Sequence, residues 1–413
     1  ETFEIKRACE FVLDALKRSA ANDQQGIKIF EELADFVIHL KQTLAAPTNA
    51  LTYWLDSNDA KEHYRARIRT GINGTENELT FAEVRNFLNL VIAKVDQAIG
   101  SARNEKGQLV TYFYHEVTEY NRPEKDDGKH VLPLKFKRHA LPLFLEGYVH
   151  ALRIEKDPSA ARKLYSEVRG SGLFDQKLKM YRVNADLSGE PEEIGRARVF
   201  PAGWLENGSI WLHMEYKFML ELLRGGLYEE FFENFRHVLV PFLKPARYGR
   251  SILENSSFLV SSTHEDSALH GQGFVARLSG STAEFLHMWL YMNAGAKPFT
   301  LGPQNELQLE FKPVLPGWLF SKKAGTINYQ SVSGETETIP LPANSYAFKF
   351  LGSILVVYHN PKRRDTYKAK IKEIHLTYPH LPKPVVFVSS TIPPPHAREI
   401  RQKEIKRVDV YFE

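Results

Sequence analysis

The chain has 413 residues, 43% of them hydrophobic and 25% charged, with a formal net charge of +4. That length holds one large domain or two to three ordinary ones, and the composition is that of a water-soluble globular protein. The charge is small for the size and comes in no long basic block, so nucleic acid is not an expected partner; Cys9, the only cysteine, excludes an intramolecular disulfide, a thiolate-rich metal cluster and a paired redox motif.

No apolar run approaches the ~20 residues a membrane helix needs, and no signal peptide is visible. With its lone cysteine the chain is expected in the cytoplasm, without a membrane partner. It opens on Glu1 instead of Met, so a fragment or processed form lacking an N-terminal part is expected.

Ile5, Ala8, Cys9, Val12 and Leu16 recur at helical spacing over 5–20, and Ile29, Leu33, Phe36, Val37, Leu40 and Leu44 do so over 27–45, where Pro47 closes the helix. A short charged helix over 60–70 precedes one over 80–99, in which Thr80 and Glu83 are spaced as a capping box. The stretch 109–120, LVTYFYHEVTEY, breaks this rhythm with β-branched and aromatic residues, and a charged, solvated loop is expected over 123–130. Helices resume over 141–154 and 159–168, the second opened by Asp157-Pro158 as cap and first-turn residue. Residues 170–203 form a long glycine- and charge-rich loop, the kind that usually carries function.

The turn GWLENGSIWLH at 203–213 then enters an apolar helix over 208–224, marked by Trp211, Met214, Phe218 and Leu222 and ended by Gly225-Gly226. Asn207 is its expected N-cap, with Glu206 where the helix dipole favours negative charge. Further helices follow over 228–243, stopped by Pro245, and over 281–293. After Lys297 short alternating runs at 307–311, 353–358, 367–376, 385–388 and 408–412 predict a sandwich-like β module, with Pro393-Pro394-Pro395 as a stiff connector. The fold expected is mainly α, with a helical domain over 1–297 and a β-rich module over 298–413.

Two stretches carry chemistry. Trp204 and Trp211 flank Glu206 and Asn207, ahead of His213: indole faces pack on sugar rings while carboxylate and amide groups take hydroxyls. The plain alternative is a capped helix with a satisfied interior histidine. At 270–289, HGQGFVARLSGSTAEFLHMW, glycines and Ser279-Gly280-Ser281 lead into a helix whose entrance N–H groups and hydroxyls suit an anion such as phosphate; the same residues also make a good N-cap.

In this order the two stretches resemble the C-terminal half of the cellobiose-phosphorylase-like enzymes, glycoside hydrolase family 94 and its relatives. There a Glu-Asn-Gly-Gly stretch and a histidine precede a Gly-x-Gly, aromatic, Thr-Gly-Ser segment. Here Glu206-Asn207-Gly208-Ser209 leads to His213, and Gly271-Gln272-Gly273-Phe274 leads to Ser279-Gly280-Ser281, with serine in place of the threonine. The run LQLEFKPVLPGW at 307–318 matches the family's strand and turn before its β module. The resemblance covers 170–320 well and 50–170 loosely.

It implies an incomplete (α/α)6 helical barrel with a C-terminal β-sandwich-like module, and an inverting phosphorylase that cleaves a β-glucosidic oligosaccharide with inorganic phosphate. No cofactor or metal is implied. His213, Ser279, Gly280 and Ser281 would bind phosphate; Trp204, Glu206, Asn207 and Trp211 would line the sugar subsites. Such a reaction needs one carboxylic acid, whereas an inverting hydrolase needs a second carboxylate to activate water. The family's Asp-Trp-Asn-Asp-Gly motif answers here to Trp54-Leu55-Asp56-Ser57-Asn58-Asp59-Ala60, without the glycine, so Asp59 is the acid implied. Glu116, beside Glu119, is the alternative, because neighbouring aromatics would desolvate a carboxyl and raise its pKa. A hydrolase using water stays open, as does a non-catalytic half that binds sugar or scaffolds an N-terminal catalytic part, and so does a homodimer.

Overall fold

A computed structural model describes the chain apart from residues 20–21, 47, 123–127, 129, 276–278 and 332, and the side chain of Ser279. Pro47 and most of the expected charged loop at 123–130 therefore lie outside the described residues. The chain divides into two compact units: Glu1–Phe218 with Ala246–Gly249 and Phe258–Phe274, and Met219–Pro245 with Arg250–Ser257 and Val275–Glu413.

Unit 1 begins with helices α1 (Thr2–Arg18), α2 (Glu31–Ala45), α3 (Ala50–Arg67) and α4 (Phe81–Ser101), with strands β1 (Gly26–Phe30) and β2 (Glu76–Thr80) among them. The two strands pair antiparallel from Gly26↔Thr80 to Phe30↔Glu76. At Gly26 a Cβ would stand 2.4 Å from the Leu79 carbonyl oxygen, so only glycine lets the strands approach this closely. Thr80 closes the capping box on α4: its hydroxyl accepts from the Glu83 N–H, and the Glu83 carboxylate accepts from the Thr80 N–H. Helix α3 starts ten residues before the expected charged segment at 60–70, because the Asn49 side chain accepts from the Thr52 N–H at 2.9 Å and nucleates it there.

A long hairpin follows, β3 (Phe113–Asn121) with β4 (Leu132–Ala140), pairing from Phe113↔Ala140 to Asn121↔Leu132. Its strands are mostly exposed on both faces. Helices α5 (Leu145–Ile154) and α6 (Pro158–Arg169) come next, α6 capped as expected by Asp157 accepting from Ser159 N–H at 3.1 Å. They bury Leu145, Tyr148, Val149 and Val168 with Tyr181, Tyr216 and Phe218, the main core of the unit. The rest of unit 1 is β5 (Phe174–Asp175), β6 (Met180–Tyr181), the short α7 (Arg196–Val199), and β7 (Ile210–Trp211), β8 (Phe258–Leu259) and β9 (Gly273–Phe274). The last three form one antiparallel sheet in the order β7-β8-β9.

The unit boundary falls within α8 (Leu212–Arg224). The helix ends at Gly225-Gly226 as its sequence predicts: Gly226 takes φ +73° and donates to Leu223 O, and Leu227 donates to Leu222 O. In unit 2, α9 (Tyr228–Val238) is shorter than the expected 228–243, since a 3-10 turn at Val240–Phe242 replaces its last part. The short α10 (Pro245–Tyr248) lies in unit 1 apart from Pro245; in unit 2, α11 (Ser279–Ala294) is followed by β10 (Phe299–Leu301), β11 (Leu307–Glu310), β12 (Gly325–Gln330), β13 (Thr336–Leu341), β14 (Ser345–Phe350), β15 (Ile354–His359), β16 (Ile371–Thr377), β17 (Val385–Phe387), β18 (Thr391–Ile392), α12 (His396–Arg401) and β19 (Arg407–Phe412). Five of these strands form a sheet ordered β14-β15-β19-β16-β17, parallel only between β15 and β19. The β12–β13 hairpin lays Ile327, Tyr329, Ile339 and Leu341 on Ala347, Leu355 and Val357.

The architecture corrects the expectation of a mainly α, incomplete (α/α)6 barrel with a β-sandwich-like module. Among the described residues twelve α-helices stand beside nineteen strands, and the largest sheet is a five-stranded mixed one. The error arose where strands abut helices. Gly26–Phe30 carries Ile27 and Ile29 directly into α2, so its period of two merged with the helical stripe that follows.

Candidate functional site

The 203–211 segment is a locked loop. Gly203 N–H donates to Asn207 O at 2.7 Å, and Asn207 N–H donates to Trp204 O at 3.1 Å. Gly203 has φ +78°, and a Cβ there would meet His264 N at 2.6 Å, so glycine is required twice over. Asn207 does not cap α8, which starts only at Leu212. It is 0% exposed: its Oδ1 accepts from Leu187 N–H at 3.0 Å, and its Nδ2 donates to Phe200 O at 2.8 Å and Ser188 Oγ at 3.4 Å. Asn184 Oδ1 accepts from Gly208 N–H at 2.6 Å in the same interior. With its polar atoms spent on the loop, Asn207 shapes the surface and has nothing left for a ligand.

That surface is aromatic. The register of β7-β8-β9 sets Trp211 opposite Phe258 and Phe258 opposite Phe274. Trp211 stacks on Phe258 with centroids 6.1 Å apart, and its Nε1–H donates to Leu205 O at 3.0 Å, which fixes the indole plane. Trp204 meets Phe258 and Phe274 edge-on at 5.2 and 4.8 Å and lies tilted against His264 at 5.9 Å. Phe258 is buried, while Trp204, Trp211 and Phe274 remain half-buried. Between the two tryptophans in the chain, Glu206 pairs through Oε1 with Arg196 at 2.7 Å, while its Oε2 is shut off from solvent with no hydrogen-bond partner among the described residues.

Sequence reasoning missed the polar groups beside this row. His264 Nδ1 accepts from Asp266 N–H at 3.1 Å. His270 Nε2 donates to His264 O at 2.8 Å, so its Nδ1 accepts from Lys177 Nζ at 2.7 Å. Behind them Asp175, fully buried, accepts from the N–H groups of Lys177, Leu178 and Ser262 and from Ser262 Oγ, and pairs with Arg182 at 3.3 Å. Burial alone would raise its pKa, but the Ser262 and Leu178 donors and the Arg182 charge hold the carboxyl below its usual range. Glu215, also fully buried, accepts among the described residues only from Tyr181 N–H at 2.7 Å; burial, reinforced by the Asp175 charge, pushes its pKa well above the usual range. These residues lie scattered from 175 to 270, and no local spacing announces them.

The remaining sequence candidates stand on α3, β3, α8 and α11. His213 is half-buried in the first turn of α8 and belongs to unit 1, whereas Ser279, Gly280 and Ser281 open α11 in unit 2. Ser281 is buried, and the Ser279 side chain lies outside the described residues. Asp59 is exposed in the middle of α3, as is Asp56 one turn earlier. Glu116 is exposed on β3, its side chain 57% accessible, and pairs with His139 at 3.0 Å; the aromatic side chains of the hairpin do not desolvate it. Among the described residues no group of three or more His, Cys, Asp or Glu is placed to hold a metal ion, and no helix is long and apolar enough to cross a membrane. Neither the protein-family models nor the curated proteins compared with the chain give a match.

Proposed function

We propose that this chain is a carbohydrate-binding protein of glycoside-phosphorylase type, which takes a β-linked glucosidic oligosaccharide on the surface formed by Trp204, Glu206 and Trp211. The observation that carries this reading is the row Trp211, Phe258, Phe274 crossed by Trp204, with the Glu206 side chain, partly exposed and paired to Arg196, in the loop between the two tryptophans. The C–H faces of a pyranose ring pack on indole, and a carboxylate accepts from a pair of hydroxyls in charge-assisted hydrogen bonds. Inorganic phosphate would be the co-substrate, and no cofactor or metal is part of the proposal. The cytoplasm is the proposed compartment, in keeping with the free, buried Cys9.

One observation favours the non-catalytic form of this reading. A general acid for phosphorolysis works at neutral pH from a desolvated site, and Asp59 and Glu116 both stand in solvent. We therefore expect the chain alone to bind cello-oligosaccharides in calorimetric titration without releasing sugar phosphate when inorganic phosphate is added. Glu206→Ala should weaken binding by roughly 1.5–3 kcal/mol, the value of hydrogen bonds to a charged group. Unchanged affinity in that variant removes the sugar from this surface, and phosphorolysis abolished by Asp59→Asn restores the catalytic form.

A further inference from the structure

A second polar surface lies at the base of the β3–β4 hairpin, in unit 1. A groove of about 440 Å³ is lined there by Arg103, Glu105, Lys106, Phe113 and Arg138, with Asn104 and Gln108 beneath. Its volume is that of a small-molecule site. Three of the lining side chains are cationic and one is anionic, so the groove carries a net charge of +2 (three minus one).

The cations are held in place from within. Asn104 Oδ1 accepts from the N–H groups of Lys106 and Gln108, both at 3.0 Å, and Gly107 N–H donates to Asn104 O at 2.9 Å. Arg103 Nη1 donates to Gly107 O at 2.6 Å, which pins its guanidinium against the same turn. Arg138 lies over the Phe113 ring at 4.5 Å, a cation–π contact that restrains its guanidinium beside the groove. Among the described residues no carboxylate forms an ion pair with Arg138 or Lys106, and the nearest one to Arg103, Glu167, stands at 4.0 Å. With Arg138 and Lys106 lacking a carboxylate partner among the described residues and the Arg103–Glu167 pair long, the groove keeps a surplus of positive charge.

We propose that this groove binds a phosphate group, with Arg103, Lys106 and Arg138 as its donors, carried either by free phosphate or by a small organic phosphate whose body lies along the Arg138–Phe113 pair. The site is independent of the sugar surface. The full chain is titrated calorimetrically with inorganic phosphate and, separately, with ADP. Saturable binding of either is expected, weakened about 10- to 100-fold in Arg138→Gln, the loss that follows from removing a charge-assisted hydrogen bond. Glu105→Gln should strengthen binding several-fold by removing the one opposing charge. Equal affinity for the two probes assigns the site to free phosphate, and tighter ADP assigns it to an organic phosphate. Arg138 and Glu105 are exposed, so both variants should fold, and Trp204→Ala serves as the control that leaves this site untouched. Absence of saturable binding of both probes, or identical affinity in Arg138→Gln and the parent chain, overturns the proposal.

Discussion

The loop at 203–211 and the hairpin strand at 113–121 look alike as sequence: GWLENGSIW and FYHEVTEYN both mix aromatic rings with carboxylates and amides. Their fates in the fold are opposite. In the loop, Asn207 is sealed inside by bonds to Leu187, Phe200 and Ser188, and the rings are left as a surface with defined planes. In the hairpin the charged side chains pair across strands in solvent, Glu116 with His139, and little of either strand is covered. Aromatic and polar density therefore does not separate a shaped site from a solvated arm. What separates them is whether the polar atoms are consumed by backbone groups far away in sequence.

The largest test of this contrast is Asn207→Ala. It removes the partner of the buried Leu187 N–H and of the part-buried Phe200 C=O, and should cost about 1–3 kcal/mol of stability in denaturant unfolding, the cost of an orphaned buried group. A loss below ~0.5 kcal/mol would erase the distinction between the two regions. Next in size is Trp204→Ala, which should lower sugar affinity about tenfold or more by removing a ring from the platform, equivalent to at least ~1.4 kcal/mol. Circular dichroism should show the fold retained.

A pH experiment sharpens the comparison for carboxyls. The Glu215 pKa is raised in the folded state, so the folded protein keeps its proton while the unfolded chain releases it above the ordinary glutamate value of 4.5. Its contribution to stability therefore falls as pH rises from there toward the folded pKa. Glu215→Gln should flatten that decline above pH 4.5. Asp175 has the opposite sign: its depressed pKa stabilises the fold above the ordinary aspartate value of 3.8, and the contribution is lost as pH falls through the folded pKa. A steeper pH dependence in Glu215→Gln than in the parent would contradict the assignment. The smallest effect is expected on the hairpin, where Glu116→Gln should change stability by less than about 0.5 kcal/mol, as exposed ion pairs do.

What the sequence made legible was local. The Thr80–Glu83 capping box, the Asp157 cap, the Gly225-Gly226 terminus and the β-rich character after Lys297 all depend on neighbours within a few residues, and each appears in the structure. What stayed hidden depends on distant partners. The β1–β2 ladder joins segments on either side of two helices, and Asn207 was read as a cap because its real acceptors and donors lie at 187, 188 and 200. In the site, Trp204, Glu206 and Trp211 were legible as a cluster because they are adjacent in the chain. Lys177, His264 and His270 were not, since only the fold brings 177 beside 270.

The order of the large sheet bears on how unit 2 is made. Strand β19 sits between β15 and β16 although it follows both in sequence. On the ribosome, β15 and β16 each expose an unpaired backbone edge until 407–412 has emerged, and bare edges of this kind recruit strands from other nascent chains. The adjacent charges of Lys372 and Glu373 on β16, together with the local β14–β15 hairpin, are features that discourage such pairing while the sheet is unfinished.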